Sequence, residues 1–203
     1  MDLDTTQLFA LAAALGWASG LRLYTVVFLT GLAGAMGWVE LPQGLRLLQQ
    51  PLLLGASGLM LAVEFFADKI PGLDSLWDMT QTFVRVPAGA LLAAGVFGGD
   101  QASWALIAAL MGGTLAATSH LAKASTRAAV NTSPEPFSNI GLSLLGDAAV
   151  PTMLWLAWAH PLWFFAGLAL ALVLMVATIV LLLKFLRRLL QRWRRRDAGT
   201  ISA

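Results

Sequence analysis

The residues able to do chemistry in this sequence are ionisable groups set among apolar runs. Glu64 and Asp68 are four apart, His120, Lys123 and Arg127 follow at intervals of three and four, and Asn139, Ser143 and Asp147 repeat every four. On a helix such spacings place each set along one side. Arg22 and Arg85 interrupt hydrophobic stretches of their own. A charge at mid-membrane costs about 2.5–3.5 kcal/mol on insertion scales, so these side chains are expected to face inward and gather around a shared polar site. Arg22, Arg85, Lys123 and Arg127, with His120 and Asn139, would hold an anionic group, and Glu64, Asp68 or Asp147 would carry protons.

Two other chemistries compete with that reading. Asp74 and Asp78 are four apart, and two carboxylates at a membrane surface can share Mg²⁺ and hold a lipid diphosphate. Capping of a helix by Asp74, with Asp78 in its first turn, explains the same pair without a metal. The charges can also satisfy one another and leave a structural membrane subunit with no ligand. The bases Arg22, Lys69, Arg85, Lys123 and Arg127 nearly balance the acids Glu64, Asp68, Asp74, Asp78, Glu135 and Asp147. His120, Lys123 and Arg127 would in that case mark only the aqueous end of a span.

The elements that must position these residues are membrane helices. The 203-residue chain is 58% hydrophobic and 12% charged, with a mean hydropathy of +0.75, which excludes an ordinary soluble core. Apolar segments fall at about 7–36, 51–69, 83–98, 102–119, 138–159 and 161–186, each near the roughly 20 residues that cross a bilayer. The expected fold is all-α, a polytopic helical membrane protein with about six transmembrane helices over residues 1–186. A basic cytoplasmic tail follows at 187–203. The first segment is too long for one upright crossing and too short for two. Gly16, Ser19 and Gly20 loosen it near Arg22, so a bent or interrupted first helix is expected.

Six crossings put both termini on one side, and the tail fixes that side. Lys184, Arg187, Arg188, Arg192, Arg194, Arg195 and Arg196 are seven of the thirteen bases. The positive-inside bias explains them, with anionic lipid rather than nucleic acid as their partner. Multi-pass insertion in a bacterial inner membrane with cytoplasmic termini is the expectation. A rival topology makes 83–98 re-entrant, leaving five crossings and an external N-terminus that suits Asp2 and Asp4. Both polar loops pass through a proline break, with Pro71 and Gly72 turning the first and Ser133 and Pro134 starting a helix after the second. A three-plus-three internal repeat is one arrangement this pattern suggests.

The stretches GLRLY at 20–24, DKIPGLD at 68–74, and the His120, Lys123, Arg127 run leading to NTSPEPFSN resemble a bacterial inner-membrane family, domain of unknown function 4126. The resemblance covers most of the chain up to about residue 158. It implies a small multi-span membrane protein and no particular activity. No cofactor is expected. Cysteine is absent, and no Gly-rich phosphate loop, HExxH or nucleophile elbow occurs. Most of the tryptophans, Trp17 among them, read as interfacial anchors, and the runs GLAGAMG and MGGT as close helix contacts. The functional expectation is a transporter or channel-like permease for a small anionic solute or a lipid headgroup. A second copy of the chain is one way for so small a protein to build a pathway.

Overall fold

The computed structural model describes residues 3–70, 72–98, 101–131 and 136–200. Six α-helices and one 3-10 helix occur among them, without strands: α1 (Thr5–Ala35), the 3-10 helix (Gln43–Gln49), α2 (Pro51–Ala67), α3 (Leu73–Gly95), α4 (Ala102–Val130), α5 (Pro136–Ala159) and α6 (Pro161–Thr200). Pro71, Ser133, Pro134 and Glu135 lie outside the described residues. α1 starts in a capping box, in which Asp4 accepts from the Gln7 amide at 2.7 Å and Gln7 accepts from the Asp4 amide at 3.0 Å. α3 starts after Gly72, at φ 87°, where a side chain would be strained.

By length and composition four helices can cross a membrane: α1, α4, α5 over Phe137–Ala159 and α6 over Pro161–Phe185. A fifth candidate joins the 3-10 helix to α2 across a 72° bend. α3 falls short because Asp74, Asp78, Gln81 and Arg85 occupy its buried face. Large apolar side chains such as Leu52, Phe66, Phe83 and Leu170 point outward, as lipid-facing residues do. The chain is a multi-pass membrane protein.

α1 is broken at Arg22, whose backbone (φ −149°, ψ 78°) is not helical. A straight helix would separate Leu11 from Thr30 by about 28 Å. Yet both line one cavity of about 460 Å³ beside Pro151, Leu154 and Trp158 of α5. Gln7 donates to the Trp158 carbonyl, while Arg22 reaches Ser143 and Asp147, several turns earlier in α5. The segment before Arg22 therefore runs antiparallel to α5, and the segment after it turns back toward the end it came from. α1 dips into the bundle and returns.

With α1 returning, α2 to α6 alternate in direction, and the start of α1 and the C-terminal stretch of α6 lie at opposite ends. The break in the first helix is the expected one, and residues 83–95 belong to α3.

Glycine lets the inner half of α1 sit at the centre. Every residue from Ala10 to Leu23 is buried. A Cβ on Gly16 would collide with Gly112 Cα of α4, and one on Gly112 would collide with Ala93 of α3. Backbones this close bring polar groups of α1, α3 and α4 within hydrogen-bond reach. Trp17, expected at an interface, is instead 3% exposed inside this core.

Candidate functional site

Where α1 breaks, the carbonyls of its last inner turn lose their helical donors and need others. α4 supplies them. Ser119 Oγ donates to the Trp17 carbonyl at 2.7 Å and Lys123 Nζ to the Leu21 carbonyl at 2.8 Å. A cation at this helix C-terminus also meets the negative end of the helix dipole.

Around that point five segments contribute charge. Asp68, at the end of α2 and fully buried, accepts from three bases: Arg22 Nη1 at 2.8 Å, Lys123 Nζ at 2.9 Å and Arg127 Nη1 at 2.7 Å. Asp78 of α3 binds Arg85 at 2.7 Å, Arg127 at 3.1 Å and Lys123 at 3.3 Å. Arg85 bridges onward to Glu64 at 2.8 Å and lies 3.2 Å from His120 Nδ1, whose Nε2 is 2.8 Å from Thr82 Oγ1. On the α5 side Arg22 Nη2 reaches Asp147 at 3.0 Å and both oxygens of Ser143 at 2.9 Å. Lys69 closes that flank, 3.0 Å from Asp147, with its ammonium over the Phe65 ring.

Arg22, Glu64, Asp68, Asp78, Arg85, His120, Lys123, Arg127 and Asp147 thus form one continuous network. Asp74 belongs to its outer rim, where it accepts from the Gly72 and Ser75 amides and from Asn131. Asp74 and Asp78 therefore meet amides and cations where the metal reading would place Mg²⁺. Asn139 does not join: it is fully buried, and neither its Oδ1 nor its Nδ2 has a partner among the described residues. Lys69, Thr82, Ser119 and Asn131 are members that the reading of charges did not place in the site. Spacing could have flagged Ser119 and Lys69, which adjoin His120 and Asp68 in sequence.

The network is neutral in count, with Arg22, Lys69, Arg85, Lys123 and Arg127 against Glu64, Asp68, Asp74, Asp78 and Asp147. Neutrality in count is what lets ten ionisable groups sit where burial of a lone ion costs several kcal/mol. Lys123 and Arg127 are consequently not the aqueous end of a span. Asp147 is the member most open among the acids, at 23% exposure.

A cavity of about 370 Å³ opens beside the network, between α1, α4, α5 and α6. Arg22, Lys123, Arg127 and Ser143 form its polar floor, and Trp17, Leu142, Met153 and Met175 are among its apolar walls.

No curated protein and no solved structure matches the chain. A family model described as a domain of unknown function, DUF4126, matches residues 9–181, from the inner half of α1 through the apolar part of α6. With the model spanning the broken helix, the charge network and the cavity alike, the chain belongs to the DUF4126 family.

Proposed function

We propose that this protein is a small permease whose substrate site is the charge network at the break of α1. The observation that carries the reading is the cavity floor: Arg22, Lys123 and Arg127 reach the cavity while still tied to Asp68, Asp78 and Asp147. Broken helices at mid-depth, with freed backbone groups and exchangeable ion pairs, are how membrane carriers build sites for ions and anions. An entering anion competes with a carboxylate for its base. Asp147, partly open and held by Arg22 and Lys69, is the acid best placed to release one and take a proton. Glu64 keeps Oε2 without a partner, an atom at which a second proton is accommodated. The end that holds the network faces the cytoplasm in this reading, because the basic stretch of α6 leaves from that end, and the start of α1 faces outward. A bacterial inner membrane is the setting.

The test is flux of small organic anions and inorganic phosphate into proteoliposomes under a proton gradient. Wild type should support gradient-dependent uptake, and Asp147→Asn should lose most of it. Equal uptake by both removes Asp147 from the mechanism.

The completeness of the ion pairing favours a second reading, a structural membrane subunit whose network serves stability alone. No anion in the panel would then move, in wild type or variant.

A further inference from the structure

The cavity differs from a simple anion site in its walls. Beyond the floor it is almost wholly apolar, and it lies where α4 and α5 barely touch, with α6 packed against both as its outer side. Ligand pockets of a few hundred Å³ with apolar walls and a few convergent polar groups select amphiphiles by burying the chain and fixing the head.

Two N–H groups on lining residues have no partner among the described residues. Arg22 Nε and Trp17 Nε1 are buried and unpaired. Arg127, which lines the same cavity, directs its Nη1 to Asp68 and Asp78. An unpaired buried donor costs about 1–3 kcal/mol, and an acceptor oxygen arriving at it recovers that. Arg22 and Arg127 each already share carboxylates, so the head group that fits carries one negative charge, not several. Space is kept in front of Arg22 by Gly146, which also lines the cavity. A Cβ there would lie 3.5 Å from Arg22 Nε, with nothing else within reach.

We propose that the cavity between α1, α4, α5 and α6 binds an acyl-chain amphiphile with a singly charged oxyanion head, the head at Arg22, Arg127 and Trp17 and the chain along α5 and α6. Two sources share this chemistry, a free fatty acid carboxylate and the phosphodiester head of a membrane phospholipid. The inference rests on the permease reading only in naming what the same site would hold.

Binding separates the cases. Purified full-length protein in neutral detergent is titrated with oleate, with phosphatidylglycerol, and with acetate as a head group without a chain, with complexes counted by native mass spectrometry. One amphiphile should bind one to one, and acetate should fail to bind at matched concentration. Gly146→Leu, which fills the space before Arg22, should weaken the amphiphile at least tenfold. Trp17→Phe, which keeps the ring and removes the N–H, should weaken it about threefold. Thermal unfolding of both variants confirms that they are folded. Oleate binding without phosphatidylglycerol assigns a fatty acid, and the reverse assigns a bilayer lipid. Acetate binding as tight as oleate, or amphiphile binding unchanged in folded Gly146→Leu, overturns the proposal. Amphiphile binding with no uptake in proteoliposomes overturns the permease reading alone, and uptake of small anions without amphiphile binding overturns this inference alone.

Discussion

Lys123 Nζ donates to the carbonyl oxygen of Leu21 at 2.8 Å and lies 2.9 Å from Asp68. One ammonium therefore closes the end of a helix and neutralises a buried acid. The two tasks cannot be separated by mutation, which makes Lys123 a stringent place to test the network.

Lys123→Met keeps the stem and removes the charge. The Leu21 carbonyl then loses its donor, and Asp68 and Asp78 lose one base each. Breaking a buried ion pair by removing one partner costs about 3–5 kcal/mol, so unfolding in detergent should shift by that order. Combining Lys123→Met with Asp78→Asn should cost less than the sum of the single changes, since the second removes an acid that the first deprived of one of its three bases. Strict additivity would show that the two side chains are independent.

The acids should rank by enclosure. Asp68 is fully buried with three bases, whereas Asp147 is 23% exposed with two. Asp68→Asn is expected to cost about 3–5 kcal/mol and Asp147→Asn roughly 1 kcal/mol, because water screens the latter. Chemical denaturation of both in the same detergent gives the order directly.

Backbone proximity predicts a contrast between adjacent glycines. Gly112→Ala should abolish a monodisperse peak in size-exclusion chromatography, since its Cβ would collide with Ala93 and approach the Gly89 carbonyl at 2.7 Å. Gly113→Ala should be tolerated, because the nearest atom to its Cβ is 3.4 Å away. Equal behaviour of the two would contradict the packing of α4 on α3.

The return of α1 is open to labelling, because the chain has no cysteine of its own. Asp4→Cys and Met36→Cys, both exposed, should react with an impermeant maleimide from the same side of sealed vesicles. Lys184→Cys should react from the other. A helix that crosses would put residues 4 and 36 on opposite sides.

Mg²⁺ supplies a further check on Asp74 and Asp78. Their oxygens are held by amides, Asn131, Arg85, Lys123 and Arg127. Millimolar MgCl₂ should leave the unfolding temperature within 1 °C or so of the NaCl control at equal ionic strength, since a metal bound only to the folded state would raise it.

Much of the site was legible because lipid constrains charge so strongly. Glu64 with Asp68, and His120 with Lys123 and Arg127, could be read as shared faces from spacing alone, and the glycines around Arg22 announced a break. What spacing could not give was direction. Hydropathy counts residues along α1 and is blind to its reversal at Arg22, so the run from 7 to 36 looked like one span. Spacing left Lys123 and Arg127 open to two readings, part of an anion site or the aqueous end of a span. Their acid partners, Asp68 and Asp78, sit 55 and 49 positions away, and no local pattern links them. Trp17 was misplaced for a similar reason: nothing in its neighbours tells an anchor at a boundary from a ring enclosed by glycine-lined helices.

The distance along the chain between Arg22 and its partners governs how this protein can be made. Ser143 follows Arg22 by 121 positions, so α1 leaves the ribosome long before α5 exists. During synthesis the guanidinium must wait in water, in the insertion machinery or at the headgroup layer, and the re-entrant hairpin settles only when the later helices arrive. Its final seat is a late step in biogenesis, and a truncated chain ending before α5 should be degraded rather than accumulate as a smaller stable protein.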